Sequence, residues 1–496
     1  MLLKLLAATM ALAILCIVSL LTMSQGVWAE GAPAKSDPAV PHKSAEKNSD
    51  EKTPAQEAKE EEHKPADPDT GTSTLSPETL GLLPNPLRPY GMTFSATYIG
   101  EMLGNPLGGA KQGAVYEGRL NLALDLDGAQ LVGWSGASLH GNMFQQHGHG
   151  LSRDYIRNLM PVSSIEALPT TRLYELWFEQ TFARDTLTIR AGQLAADTEF
   201  VTSTYTDVFI NGTYGWPTIM ALNVPSGGPS PPLAAVGARL KAEINHNITV
   251  LAAVFNGDAA GPGSDDPQTR NRHGVNFRLH DPPFVIGEMQ YAYHQAPHAP
   301  GLPGTLKFGG WYHAGLFDHQ RFTAQGVSRA DPSGSGLPAR LRSNFGLYAV
   351  VEHMVWRFSG PQEERGIGVF GRVSGSPRDR NLIDVYADGG VSCSGPLAQR
   401  PHDKIGLGVA YARISSQARD LDRDFAAFAH SHWPIRDYEA LLAVGYRAEI
   451  RQGWAVQPTL QYVIHPGGGA VRLTDGAIPE RGKNAVVFGV RTVLKW

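Results

Sequence analysis

From about residue 84 to the end of the chain, apolar and polar side chains alternate in short blocks separated by Gly, Pro, Asn and Asp. YEGRLNLALDLDG sets Tyr116, Leu120, Leu122, Leu124 and Leu126 on one parity against Glu117, Arg119, Asn121, Asp125 and Asp127 on the other. VGARLKAEI sets Val236, Ala238, Leu240, Ala242 and Ile244 against Arg239, Lys241 and Glu243, and LKFGGWYHAGLFD sets Phe308, Tyr312, Ala314 and Leu316 against Lys307, Trp311 and His313. A period of two is that of a strand whose faces meet different surroundings. Near residue 438 the alternation runs from Tyr438 to Ile450, turns through Arg451, Gln452 and Gly453, and resumes at Trp454, which predicts a hairpin. No long stretch of helical period follows residue 84.

Such strands build either a soluble sandwich or a membrane barrel whose apolar face meets lipid. The charges here sit in mid-strand and pair in sign, Arg with Glu and Asp, as a polar lumen requires. The final run AVVFGVRTVLKW keeps Val486, Phe488, Val490, Thr492, Leu494 and Trp496 on one parity and ends on an aromatic residue, a pattern resembling the assembly signal of bacterial outer-membrane proteins. Residues 1–29 carry Lys4, then an uncharged apolar run, then Val27-Trp28-Ala29, and predict a secretory signal peptide. Together these predict an all-β, transmembrane antiparallel barrel over residues 84–496 in the outer membrane of a Gram-negative cell.

Composition narrows the remainder. Residues 30–75 are Pro, Ala, Lys and Glu with almost no large apolar side chains, so they predict a disordered charged linker. With a net charge of −4 and 18% charged residues, the chain lacks the basic excess that a nucleic-acid partner demands. Of its 2 cysteines, Cys16 lies in the signal and Cys393 is left alone, so no intramolecular disulfide is expected in the mature chain. His147 and His149 in QQHGHG read as glycine-rich loop rather than metal site, and no metal or cofactor is expected. HExxH, GxSxG and P-loop patterns are absent, and no Ser/His spacing argues for an outer-membrane enzyme.

Several blocks resemble the carbohydrate-selective porin family of Gram-negative bacteria, the OprB-like porins: LYELWFEQ (173–180), IRAGQLAADTEF (189–200), INGTYGWP (210–217), VFNGDAAGPG (254–263), GGWYHAGLFDHQRF (309–322), FGLYAVVEHMVWR (345–357), KIGLGVAYARIS (404–415) and LQYVIHPGG (460–468). They occur in order through nearly all of the chain after the linker. The resemblance implies 16 strands and passive diffusion of mono- and small oligosaccharides. Thr198 in AADTEF departs from it, standing where the family commonly shows an acidic residue.

A sugar is neutral and covered in hydroxyls, so a selective wall must offer donors, acceptors and aromatic faces without holding the solute tightly. By parity the candidates are Arg119, Asp125, Glu175, Glu179, Arg190, Arg239, Lys241, Glu288, Lys307, Trp311, His313, Arg447, Gln457, Gln461 and Arg491, with Trp311 the sharpest. Trp311 also fits an interfacial aromatic girdle. Glu352 and His353 fall on opposite parities, so one would face lipid unless a bulge or the rim relieves it. The expected partners are sugars, outer-membrane lipid, the barrel-assembly machinery through Trp496, and further copies in a homo-trimer. A general or anion-preferring porin would share the fold; an unopposed basic stripe would mark the latter.

Overall fold

The computed structural model describes residues 79–83, 85–182, 185–296, 299–359, 365–429, 433–472 and 480–496. The expected signal peptide and linker lie outside the described residues. Sixteen strands form one closed antiparallel barrel: β1 (Met92–Gly109), β2 (Gly113–Asp127), β3 (Ala137–Gly148), β4 (Thr170–Phe182), β5 (Leu187–Leu194), β6 (Ala235–Asn245), β7 (Ile248–Phe255), β8 (Phe284–Tyr293), β9 (Gly304–Thr323), β10 (Pro338–Arg357), β11 (Gly366–Gly375), β12 (Ile383–Ser394), β13 (Lys404–Ile414), β14 (Tyr438–Arg451), β15 (Trp454–Ile464) and β16 (Lys483–Lys495).

Each strand pairs with its neighbours in sequence, and β16 closes on β1 with Glu101 opposite Arg491 and Gly100 opposite Thr492. Closure leaves no unpaired strand edge for lipid to desolvate. Large apolar side chains such as Phe308, Leu316, Val409, Leu460 and Phe488 project outward and stay exposed on the protein's own surface, as lipid-facing residues must. The predicted hairpin forms as read, with Arg451 opposite Trp454.

The barrel end that carries both ends of the sheet has short turns, among them those joining β6 to β7 and β14 to β15. The opposite end carries the long connections 149–169, 195–234, 256–283 and 415–437. Short periplasmic turns and long outer loops are the usual polarity of such barrels.

Two differences from the sequence reading stand out. A helix, Ser416–Phe428, lies in the connection from β13 to β14, started by the Ser415 side chain accepting from Ala418 N. Its thirteen residues carry seven polar or charged side chains, so the apolar stripe is too thin to show as a long helical period. The first residues of QQHGHG are not loop: His147 is the penultimate residue of β3, faces outward and lies 3.2 Å from Tyr98 Oη. The flanking glycines mask a strand whose pairing continues to Gly148 opposite Glu117.

The interior is not an open tube. Segments 149–169 and 195–234 fold inward and join inward side chains of the strands in a buried apolar cluster, to which they give Leu151, Met160, Val162, Val208, Phe209, Ile210, Tyr214 and Ile219. Facing them, the inward positions of β13 and β14 are stripped to Gly406, Gly408, Ala410, Ala443 and Gly445. A Cβ on Gly445 would stand 2.3 Å from the Val208 carbonyl oxygen, and one on Gly408 would stand 2.5 Å from Tyr214 Oη. These glycines make room for the inward segment.

Candidate functional site: the lumen and its constriction

All fifteen candidates face inward, but the structure sorts them into two groups. Arg119, Glu175, Arg239, Glu288, Lys307, Trp311, His313, Gln457, Gln461 and Arg491 are buried, while Asp125, Glu179, Arg190, Lys241 and Arg447 keep partial access. The difference is the inward segments, which lie against the polar wall and bond to many of its side chains.

The segment 201–213 runs along the inner wall from β8 to β16, fastened at almost every strand. Glu288 on β8 accepts from Val201 N (2.8 Å), Lys307 on β9 donates to the Thr202 carbonyl (2.7 Å), and Glu352 on β10 accepts from Thr204 N (2.9 Å). Arg372 on β11 donates to the carbonyls of Val201 (3.0 Å) and Thr213 (2.9 Å). Lys404 on β13 pairs with Asp207, and Gln461 on β15 accepts from Asn211 Nδ2 (2.9 Å). Arg491 on β16, held by Glu101 (2.5 Å), donates to the Ile210 carbonyl at 3.4 Å and to Ser164 Oγ at 2.8 Å. The segment 149–169 is held likewise, with Glu439 on β14 accepting from the backbone N–H of Leu159 and Met160, each at 2.7 Å. A segment with no ladder of its own must satisfy its backbone groups somewhere, and here wall side chains do it.

Arg372 is itself set by Asp388, opposite it on β12, with Nη2 to Oδ2 at 2.6 Å, and Tyr386 Oη donates to the same carboxylate. His313 is taken up by the Gly257 carbonyl at 2.9 Å. Trp311 is 3% exposed and packs against Phe284, 6.0 Å between ring centroids. It therefore belongs neither to an outward girdle nor to the open lumen surface. Glu352 faces inward. His353 faces outward opposite Gly304, the first residue of β9, so it lies at the rim, where Tyr293 Oη is 3.2 Å from its Nδ1.

Four of the five partly open candidates, Asp125, Glu179, Arg190 and Lys241, lie on β2 to β6. The ladder there places Glu179, Arg190 and Arg239 directly opposite one another on β4, β5 and β6. Glu199, from the inward segment, completes a box of two cations and two anions. Arg190 lies 2.8 Å from Glu179 and 3.3 Å from Glu199; Arg239 lies 2.8 Å from Glu179 and 2.5 Å from Glu199. Burial acts to raise the Glu199 carboxyl, but Arg239 and then Arg190 outweigh it and hold it below the usual carboxylate range. Arg190, Glu179 and Glu199 keep 18–19% of their side-chain surface open.

Beside the box the Arg190 guanidinium stacks over the Trp177 indole at 3.8 Å from the ring centroid, and His140 stacks on the same indole at 4.9 Å. His140 Nδ1 lies 2.7 Å from Asp125. A continuous polar and aromatic track thus runs Asp125, His140, Trp177, Arg190, Glu179, Arg239 and Glu199 across five strands and the inward segment.

Sequence reasoning missed three of these. His140 lies on a strand whose parity was not read. Trp177 sits in LYELWFEQ with Glu175 and Glu179 on its own parity, a usable signal, although a register shift opposite Gly141 and Met143 breaks the alternation just before it. Glu199 sits in a segment without period, next to Thr198, where an acidic residue was looked for. Among the described residues no group of three or more His, Cys, Asp or Glu side chains could hold a metal ion.

A closed sixteen-stranded barrel with an apolar belt, short turns at one end and loops folded into a charged lumen has the architecture of an outer-membrane porin, a diffusion channel. The sequence profile of the carbohydrate-selective porin, OprB family, matches residues 111–495. The chain belongs to that family, and it is a sugar diffusion channel of the Gram-negative outer membrane. It is 22% identical over 405 residues to Porin B of Pseudomonas aeruginosa, covering 76% of this chain and 84% of that one. The high-pH structure of Pseudomonas putida OprB superposes with a TM-score of 0.71 at 21% identity, covering 83% of this chain and 95% of that one.

Proposed function

We propose that sugars pass the constriction along the track from Asp125 to Glu199, with the Glu179, Arg190, Arg239 and Glu199 box exchanging hydrogen bonds with hydroxyls and Trp177 offering an edge to the pyranose ring. The observation that carries this reading is the balance of the box, two guanidinium groups against two carboxylates with three of the four partly open. A site of zero net charge gives no long-range attraction to ions of either sign, while its fixed donors and acceptors still match vicinal hydroxyls. The polar groups already satisfy one another, so a passing solute exchanges partners instead of gaining them, which keeps the hold weak enough for release. This balance favours neutral solutes over the anion-preferring alternative, since among the described residues no unopposed basic stripe lines the open wall. Swelling of liposomes holding the purified barrel tests it. Glucose is expected to enter faster than a size-matched amino acid or organic acid, and Glu179→Gln is expected to turn the preference toward the organic acid. Entry ordered by size alone in both proteins would refute the reading.

The same proposal extends to assembly. Residues 1–29 direct export and are removed, the linker 30–75 remains ahead of the barrel domain 84–496, and the β16 run ending in Trp496 is received by the barrel-assembly machinery. A homo-trimer is proposed through the outward face of β1 to β3, where Tyr98, Tyr116 and His147 form a polar cluster among aliphatic neighbours. Native mass measurement in mild detergent checks both the mature N-terminus and the trimer; a monomer mass would refute the latter.

A further inference from the structure

We infer that residues 273–280, in the connection from β7 to β8, form part of the lipid-facing wall, with Val275, Phe277 and Leu279 among the acyl chains of the outer leaflet. The wall is low where this segment lies. β5 and β7 have 8 residues each, against 20 in β9 and in β10, whereas a tilted strand needs about 9–11 to cross the hydrocarbon layer.

The segment starts where β5 leaves off. The last pair of the β4–β5 ladder is Leu176 with Gln193. Beyond it, Leu173 N on β4 donates to the His273 carbonyl at 3.0 Å. The Gln193 side chain reaches up to donate to the Gly274 carbonyl at 2.9 Å, and a Cβ on Gly274 would meet the Leu173 carbonyl oxygen at 1.8 Å. Residues 273 and 274 thus take the place beside β4 that β5 has vacated. At its far end the segment is held over β7, with Asp281 N donating to Asn256 Oδ1 at 3.0 Å, before β8 begins at Phe284.

Exposure sets the direction of the side chains. Leu173 lies between buried Arg172 and Tyr174 and faces outward, as does exposed His273, whose carbonyl its N–H reaches; beyond Gly274 the segment runs without a ladder of its own, and Val275, Phe277 and Leu279 stand on the outer surface. Consistently, Gly274 is buried, and Arg278 turns to Asp281, with both bonds at 2.7 Å. Val275, Phe277 and Leu279 are 58%, 52% and 71% exposed. Three such side chains in a row are out of place in water but continue the apolar belt of Leu176, Ile189 and Val254 below them. That continuity favours acyl chains as the occupant over a second copy or a soluble protein.

A nitroxide label tests this in the full barrel reconstituted in phosphatidylcholine vesicles. Cys393→Ser removes the remaining thiol, and labels are placed at Phe277→Cys, at Val254→Cys on a lipid-facing strand, and at Ser335→Cys on an exposed outer loop. Collision with oxygen and with a water-soluble nickel chelate is then measured. The ratio at residue 277 is expected to match that at 254, oxygen-rich and nickel-poor, and Leu279→Cys is expected to give the same shift independently. Nickel access at 277 and 279 equal to that at 335 would overturn the inference, placing the strip in water. Dipolar broadening between labels at 277 with both collisions suppressed would overturn it too, placing a second copy on the strip.

Discussion

Arg372 offers the most direct test of how the constriction is held. The side chains of Arg372 and Asp388 are 1% and 0% exposed. Arg372 binds both shoulders of the inward arc, the carbonyls of Val201 at 3.0 Å and Thr213 at 2.9 Å. Hydrogen bonds from a charged donor are worth about 1.5–3 kcal/mol each, so Arg372→Ala removes about 3–6 kcal/mol of the arc's attachment. It also strands the Asp388 carboxylate, at a cost of about 3–5 kcal/mol. Since about 1.4 kcal/mol is a factor of ten in a population, loss of even the smaller arc attachment raises the open population about a hundredfold. Planar-bilayer recording is expected to show larger and noisier single-channel currents, and liposome swelling is expected to admit trisaccharides that the parent excludes. Arg372→Met with Asp388→Leu separates the two effects. The double variant leaves no stranded charge, so the unfolding temperature is expected to return toward the parent while the enlarged pore remains. Unchanged conductance and size limit in Arg372→Ala would refute the reasoning, because the arc would then be held without the two contacts that Arg372 makes to it.

Four further outcomes are expected. Trp177→Ala removes the stacking surface under Arg190 and is expected to slow glucose entry relative to a small neutral amide, measured by swelling; an unchanged ratio would count against a role for the indole. Glu199 is held below the ordinary carboxylate range, so it keeps its charge as pH falls until that depressed value is passed, when the box gains a net positive charge. Reversal potentials in a salt gradient are accordingly expected to stay flat on mild acidification and then move toward anion preference, and Glu199→Gln should show that preference already at neutral pH. Asp197, in the inward segment, is pushed up to about 8, first by burial and then by Glu175. The folded state thus holds a proton that the unfolded chain has lost, and stability falls as pH rises from the ordinary carboxylate range to about 8; heat-modified gel mobility is expected to show this slope in the parent and not in Asp197→Asn. Gly445→Val puts side-chain atoms where the Val208 carbonyl sits, 2.3 Å from a Cβ, and is expected to displace the arc and raise conductance without loss of the barrel.

The barrel was legible because its evidence is local: each strand needs only alternation between lipid and lumen, and blocks such as VGARLKAEI carry that in a few residues. Parity also placed every candidate on the inward face. It could not say which of them remain open, because that depends on segments 149–169 and 195–234, which have no period and are positioned by contacts with strands far away in sequence. Lys307 and Gln461 read the same as Arg190 on the strand, yet the first two are consumed by Thr202 and Asn211. Trp311, read as the sharpest candidate, is covered from within for the same reason, while Trp177 was obscured by a register shift. The inward glycines of KIGLGVAYARIS, with Gly445 on the next strand, were a trace of the arc in the sequence, since Gly406 and Gly408 remove bulk where a lumen would otherwise tolerate any polar side chain.

The fastening of the arc by side chains from nearly every strand between β8 and β16 bears on how such a pore can be re-engineered. Its sieve is not a detachable insert: a loop of new length or composition transplanted between β5 and β6 would arrive without the matched carboxylates, guanidinium groups and glycines on the receiving strands. More than half the circumference would need to be redesigned along with it. The five strands from β2 to β6 carry the open charges and few of these obligations, so substitutions there can retune which solutes are favoured while the aperture keeps its shape.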